Sequence, residues 1–261
     1  MHLRPHDAFL KLARADEHLD SLYAQIETWS ATHPYRITHE RDPKSGFTVV
    51  YFKPLSEPPS SLSLILGDAI QNLRACLDYL TLALSERGYG RPMSEGMENS
   101  SQFPICRTET QFAQALRSII PHIDAGPSAV IKSVQPYHRG HDWDCHPLAI
   151  LKTLSNFDKH RRLPLVANSP RVDATPALVA QWRFAEFSLI LPSWTGQKAE
   201  LFRCPDSVDC RVDVDFSLTL DVAFANGAPD PLKSERVRAV AETLWMYVGR
   251  EVVLPMKSYL K

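Results

Sequence analysis

Apolar residues recur at helical spacing in the first thirty positions. Phe9, Leu12, Ala13, Leu19, Leu22, Tyr23 and Ile26, with charged residues between them, predict a helix over 6–30. YRITHE and FTVVYFK then flank the turn-forming DPKSG, a hairpin pattern. SLSLILGDAIQNLRACLDYLTLALSER gives the clearest helix, 61–87, between a Pro-Pro-Ser-Ser start and an exit at Gly88. FPI at 103–105 reads as a short apolar anchor after a polar loop over 88–102. A helix is expected from Thr108, with Gln111 at a capping-box position. PSAVIKSVQPY predicts another, ending before Pro136. After a loop over 138–145, HPLAILKTLSNFDKHRR predicts a helix with Pro147 in its first turn.

The pattern then changes. LPLVA, QWRFAEFSLIL, KAELFRC and VDVDFSLTLDVAF are strand-like, several of them alternating. ERVRAVAETLWMYVGREVV predicts an amphipathic closing helix. The expected fold class is α+β in one domain over 1–261: a helical bundle with an early β-hairpin and a later antiparallel sheet. The helical core spans approximately 6–30, 61–87, 108–161 and 230–252, and the β-rich part approximately 162–225.

Rotation by about 100° per residue sorts helix 61–87. Ile65, Leu66, Ala69, Ile70, Leu73, Cys76, Leu77, Leu80 and Leu84 form one wide apolar face. Asp68, Asn72 and Tyr79 line one edge, while Arg74 and Asp78 lie towards the other, where they can pair. In helix 147–161, Leu148, Ile150, Leu151, Leu154 and Phe157 make the apolar face. Asp158 projects onto that face, and an inward carboxylate needs a cation or several donors; Arg74 is the expected partner. Asn156 and His160 share an edge, and Lys159, His160 and Arg161 close the helix.

Two readings stand side by side. In one, the chain is a non-catalytic interaction or ligand-binding module, and these residues form a buried polar network that holds helices in register and complements a helix terminus. In the other, they line a cleft in which His160 moves a proton while Arg74, Lys159 and Arg161 bind phosphate.

LILGDAIQNLRACLDYLTLAL, FPI, QPYHRGH and HPLAILKTLSNFDKHRRL together resemble a widespread group of uncharacterised bacterial proteins with a DAxxNLRxxLDxL helix and an NxDKHR motif. The resemblance extends to the HEPN superfamily of helical bundles, many of whose members are dimeric, metal-independent ribonucleases of toxin or antiviral systems. It implies RNA and a second copy of the chain as partners, and Arg74, His160 and Asp158 as catalytic residues. Asp68, Asn72, Asp78, Tyr79, Asn156, Lys159 and Arg161 would bind substrate. The HEPN pattern usually places a polar residue after its Arg and a His four to six positions beyond it. This chain has Ala75 and Tyr79 there, so His160 would have to supply the proton transfer.

Composition narrows the alternatives. The net charge is -1, giving no overall positive field for non-specific nucleic-acid binding. No apolar run reaches the roughly 20 residues of a membrane span, and the start has no apolar signal region. Five widely spaced cysteines fit a reducing cytoplasm better than a disulfide framework. Gly-rich phosphate loops, GxSxG and HExxH are all missing, so no cofactor is expected. YHRGHDWDCH collects His138, His141, Asp142, Asp144, Cys145 and His146, but its spacing fits no standard zinc site, and no metal is expected. Trp182, Arg183, Phe184 and Phe187 read as strand core rather than a base-stacking platform, and Asp213, Asp215 and Asp221 as the wet face of a strand.

Overall fold

The computed structural model describes residues 5–118, 120–172, 199–205 and 218–260. It is a mixed helical and sheet fold, and no described helix is long and apolar enough to cross a membrane. Helix α1 (Pro5–Ala31) and helix α2 (Ser60–Tyr89) form an antiparallel pair, with Gln25 beside Ser61 and Lys11 beside Asn72. The hairpin between them is β1 (Tyr35–Asp42) and β2 (Phe47–Pro54), registered Tyr35 on Pro54 and Asp42 on Phe47. Gly46 closes the turn at φ +68°, a left-handed conformation that favours glycine.

The apolar face read on α2 is the centre of the core. Leu66, Ala69, Ile70, Leu73, Cys76, Leu77, Leu80 and Leu84 are all buried there, with Ile65 at the margin. The helix ends differ from the expected ones. Pro59 occupies the N-cap without a side-chain cap bond, and the helix runs through Gly88 to a left-handed cap at Gly90. Gly88 is required for a different reason: a Cβ there would overlap the backbone carbonyl of His122.

Short helices α3 (Glu95–Ser100), α4 (Glu109–Ser118) and α5 (Ala125–Ser133) follow. At α4 the Gln111 N–H donates to Thr108 Oγ1 as expected, but Gln111 Oε1 reaches one residue further back, to the Arg107 N–H. The loop expected over 138–145 is a kinked 3-10 segment, Pro136–Cys145. Helix α6 (Pro147–Asp158) has Pro147 in its first turn. It stops three residues short of Arg161, as the backbone turns through 159–161.

The later strands do not form one sheet, which corrects the expected arrangement. Strand β3 (Leu165–Val172) pairs antiparallel with β5 (Leu218–Phe224), whereas β4 (Ala199–Pro205) adds to β2 of the early hairpin, giving the order β1-β2-β4. Residues 181–191, with Trp182, Arg183, Phe184 and Phe187, and Cys210, Asp213 and Asp215 lie outside the described residues. The closing helix α7 (Val237–Tyr247) continues through a π-helical turn, Val248–Val253, to Met256. Val237, Ala241, Leu244, Val248 and Val252 join the core formed by α1, α2 and α6.

Candidate functional site

The polar residues of α2 separate onto two sides of the helix. Asp68, Asn72 and Tyr79 face α1. Lys11 Nζ donates to Asn72 Oδ1 at 3.3 Å and lies 5.7 Å from the centre of the Tyr79 ring, while Asn72 Nδ2 donates to the Asp68 carbonyl. Arg74 and Asp78 face α6 and the 102–107 segment. Their pairing is bidentate, Nη2 to Oδ1 at 2.7 Å and Nε to Oδ2 at 3.2 Å. Asp78 Oδ1 also accepts from the Phe103 N–H, and Arg74 Nη2 also donates to the Phe103 carbonyl. Burial pushes the Asp78 carboxyl up; Arg74, the Phe103 N–H and the charge of Lys159 oppose that rise.

The expected Arg74–Asp158 pair does not form. Asp158 Oδ2 instead accepts from Gln71 Nε2 at 3.1 Å. Gln71 Nε2 also donates to the Ser155 carbonyl, and Ser155 Oγ donates back to Gln71 Oε1. Two factors produce this arrangement. Asp78, one turn from Arg74 on the same helix, satisfies the guanidinium without a long-range contact. Gly67, one turn before Gln71, leaves room for the Asp158 carboxylate; a Cβ there would overlap Oδ1 and stand 2.8 Å from Cγ. Ser63, a further turn back, donates to the Leu163 carbonyl. Ser63, Gly67 and Gln71 thus form the polar seam that docks α6 on α2.

Residues 103–106 belong to no helix or sheet, and side chains bond their backbone on alternating sides. Odd positions face the helices: the Phe103 N–H and carbonyl bond Asp78 and Arg74, and the Ile105 carbonyl accepts from Lys152 Nζ at 3.1 Å. Even positions face Gln135. Its Oε1 accepts from the Cys106 N–H, and its Nε2 donates to the Pro104 and Ile131 carbonyls. This alternation is the pairing pattern of a β-strand, with side chains in place of neighbouring strands. Gln135 is wholly buried.

Between this segment, α2, α4 and α6 lies a cleft of about 380 Å³. Arg74, Arg107, Lys152 and Lys159 line it, with Asn156 and Gln102, Gln111 and Gln114, over a floor of Phe103, Pro104, Ile105, Cys106 and Ala115. Among the described residues, neither a carboxylate nor an imidazole lines the cleft. His160 and Arg161 are exposed and lie outside its lining, as does Asp158. Arg107 is stacked 4.3 Å from the centre of the Trp143 ring. Burial raises the Cys106 thiol despite the charge of Lys152, which makes it a poor nucleophile.

The His138–His146 stretch is built as a helix start. His146 Nδ1 accepts the Leu148 N–H at 3.2 Å and so caps α6. With Nδ1 accepting, the neutral ring donates from Nε2 to Tyr247 Oη at 3.0 Å, which ties α6 to α7. Burial, helped by the charges of Arg139 and His138, lowers the His146 pKa to about 4. A ring nitrogen of His138 bonds the Lys132 carbonyl, while His141, Asp142, Asp144 and Cys145 are exposed. Among the described residues, no three His, Cys, Asp or Glu side chains are arranged to hold a metal.

Of the expected site residues, Arg74, Asn156 and Lys159 meet in the cleft, with Asp78 behind Arg74. Lys152, Arg107, Gln71 and Gln135 were not expected. For Lys152 a signal was present: Lys152, Asn156 and Lys159 recur at i, i+4 and i+7, a polar stripe on one face of α6. Neutral glutamines carry no comparable signal. No family model, curated protein or solved structure matches the chain.

Proposed function

We propose that the protein is a non-catalytic ligand-binding module that holds an anionic group in this cleft. The observation that carries the reading is the lining: four cations and several carboxamides, with no imidazole or carboxylate among the described residues. Cations and amides bind phosphate or carboxylate. Cleavage of RNA by its own 2′-hydroxyl also requires groups that move protons. His160, the residue expected to do so, is exposed outside the cleft, and Tyr79, at the family's His position, faces α1. The antiparallel α1–α2 pair, of 27 and 30 residues, joined by α6 and α7, supports the HEPN-like bundle part of this reading.

The test is calorimetric titration with inorganic pyrophosphate at low salt, together with end-labelled RNA incubated in EDTA. Binding that weakens with added salt and is lost in Lys152→Gln/Lys159→Gln, with RNA left intact, is the expected result. RNA cleavage that disappears in His160→Ala would replace this reading with the ribonuclease one.

A further inference from the structure

The cleft's cations stand in a row set by the extended segment beneath them. Phe103 and Ile105 present their carbonyls on the same edge, roughly 7 Å apart in an extended chain. Arg74 Nη2 is pinned to the first and Lys152 Nζ to the second, at 3.0 and 3.1 Å. Arg107 lies two residues further along the same segment, with its guanidinium over the Trp143 ring. Asp78 offsets Arg74, but Lys159 adds a second cation at that end, close enough to act on the Asp78 carboxyl. The lining therefore carries a net positive charge. Glu109 pairs with Lys132 at 3.1 Å, and the Asp158 carboxylate is held on Gln71 outside the lining.

A single phosphate is too small to meet charges at this interval, whereas an extended peptide has it built in. Alternate side chains of a strand lie on one face, roughly 7 Å apart. Free carboxamides at Gln102, Gln114 and Asn156 can both donate to and accept from a peptide backbone. Sites for single-stranded nucleic acid add aromatic rings on which bases stack. Among the described residues, the only aromatic residue in the lining is Phe103, which is 2% exposed.

We propose that the cleft docks an extended acidic peptide segment of a partner protein, with Asp or Glu on alternate residues. The proposal rests on the anion-binding reading above and specifies its ligand. Docking is by charge pairing across the row, so it weakens with ionic strength.

The experiment uses fluorescence anisotropy on the full chain at low salt. The probes are a labelled seven-residue peptide with Glu at alternate positions, the same composition with its three Glu contiguous, and an oligouridylate. The alternating peptide should bind several-fold more tightly than the contiguous one. Lys159→Gln and Arg107→Gln, both at exposed side chains, should each weaken it by up to about fivefold with melting curves unchanged. Equal binding of the two peptides, variants that bind like wild type, or tighter binding of oligouridylate would each overturn the proposal. Binding of inorganic pyrophosphate without either peptide would sink the peptide and leave the anion cleft standing. If neither pyrophosphate nor peptide binds, both readings fall.

Discussion

Replacing Gly67 with alanine sets two effects of known sign against each other. Glycine within α2 costs the helix about 1 kcal/mol relative to alanine, so on propensity alone Gly67→Ala stabilises. The new methyl, however, would overlap Asp158 Oδ1 and stand 2.8 Å from Cγ and 3.0 Å from Oδ2. All three carboxylate atoms are too close, so the group must swing away and give up its 3.1 Å bond from Gln71 Nε2. A hydrogen bond to a charged group contributes about 1.5–3 kcal/mol, and the half-buried site puts this one at the lower end. With lost packing along the α2–α6 seam added, the net expectation is destabilisation by about 1 kcal/mol, or about 2–4 °C in Tm for a chain of this length. In an Asp158→Ala background the obstacle is gone, and Gly67→Ala should stabilise by about 1 kcal/mol. The sign change makes the coupling about 2 kcal/mol in a double-mutant cycle. Urea unfolding of the four proteins, followed by circular dichroism, measures it. If Gly67→Ala stabilises in both backgrounds, the Asp158 carboxylate does not sit against Gly67, and the account of how α6 docks is wrong.

Three further outcomes follow from the same geometry. His146 is held neutral, with its pKa lowered from 6.5 to about 4, so the unfolded chain takes up the proton first. Stability from this group is complete above about pH 6.5 and falls with acidification towards pH 4, by about 3 kcal/mol in all. His146→Asn can still cap α6 but does not titrate, and should flatten that part of the pH–stability profile measured by urea unfolding. Gln135→Met keeps most of the side-chain volume but removes three hydrogen bonds at a wholly buried site. It should cost about 3 kcal/mol and weaken pyrophosphate binding in the cleft, as read by chemical denaturation and calorimetry. Gly88→Ala meets the His122 carbonyl, which is backbone and cannot rotate away, so it should destabilise by about 2–3 kcal/mol, more than Gly67→Ala in the same assay.

Much of this molecule is written locally. The wide apolar face of α2 follows from the helical period, and all of its predicted residues but the half-buried Ile65 are buried, with Leu62, Leu82 and Ala83 buried as well. The same rotation separated Arg74 and Asp78 from Asp68, Asn72 and Tyr79, and the one-turn spacing favoured the Arg74–Asp78 ion pair. The hairpin over Tyr35–Pro54 was legible because alternation and a turn sequence lie side by side. These signals each lie within about twenty consecutive residues, the range at which periodicity and turn chemistry operate.

What only the tertiary structure decided is the choice among distant partners. Asp158 needed a donor, and sequence offered the strongest, a guanidinium. The fold instead supplied Gln71, because Asp78 had already satisfied Arg74 and Gly67 left space for the carboxylate. Strand β4 joined the early hairpin, not β3 and β5, because any exposed edge of suitable length can accept an alternating strand. Gln135 reads as an ordinary polar residue, yet it lies buried and holds the floor of the cleft. An amide's value depends on which backbone groups arrive beside it, and residues 104 and 135 meet only once the chain has folded.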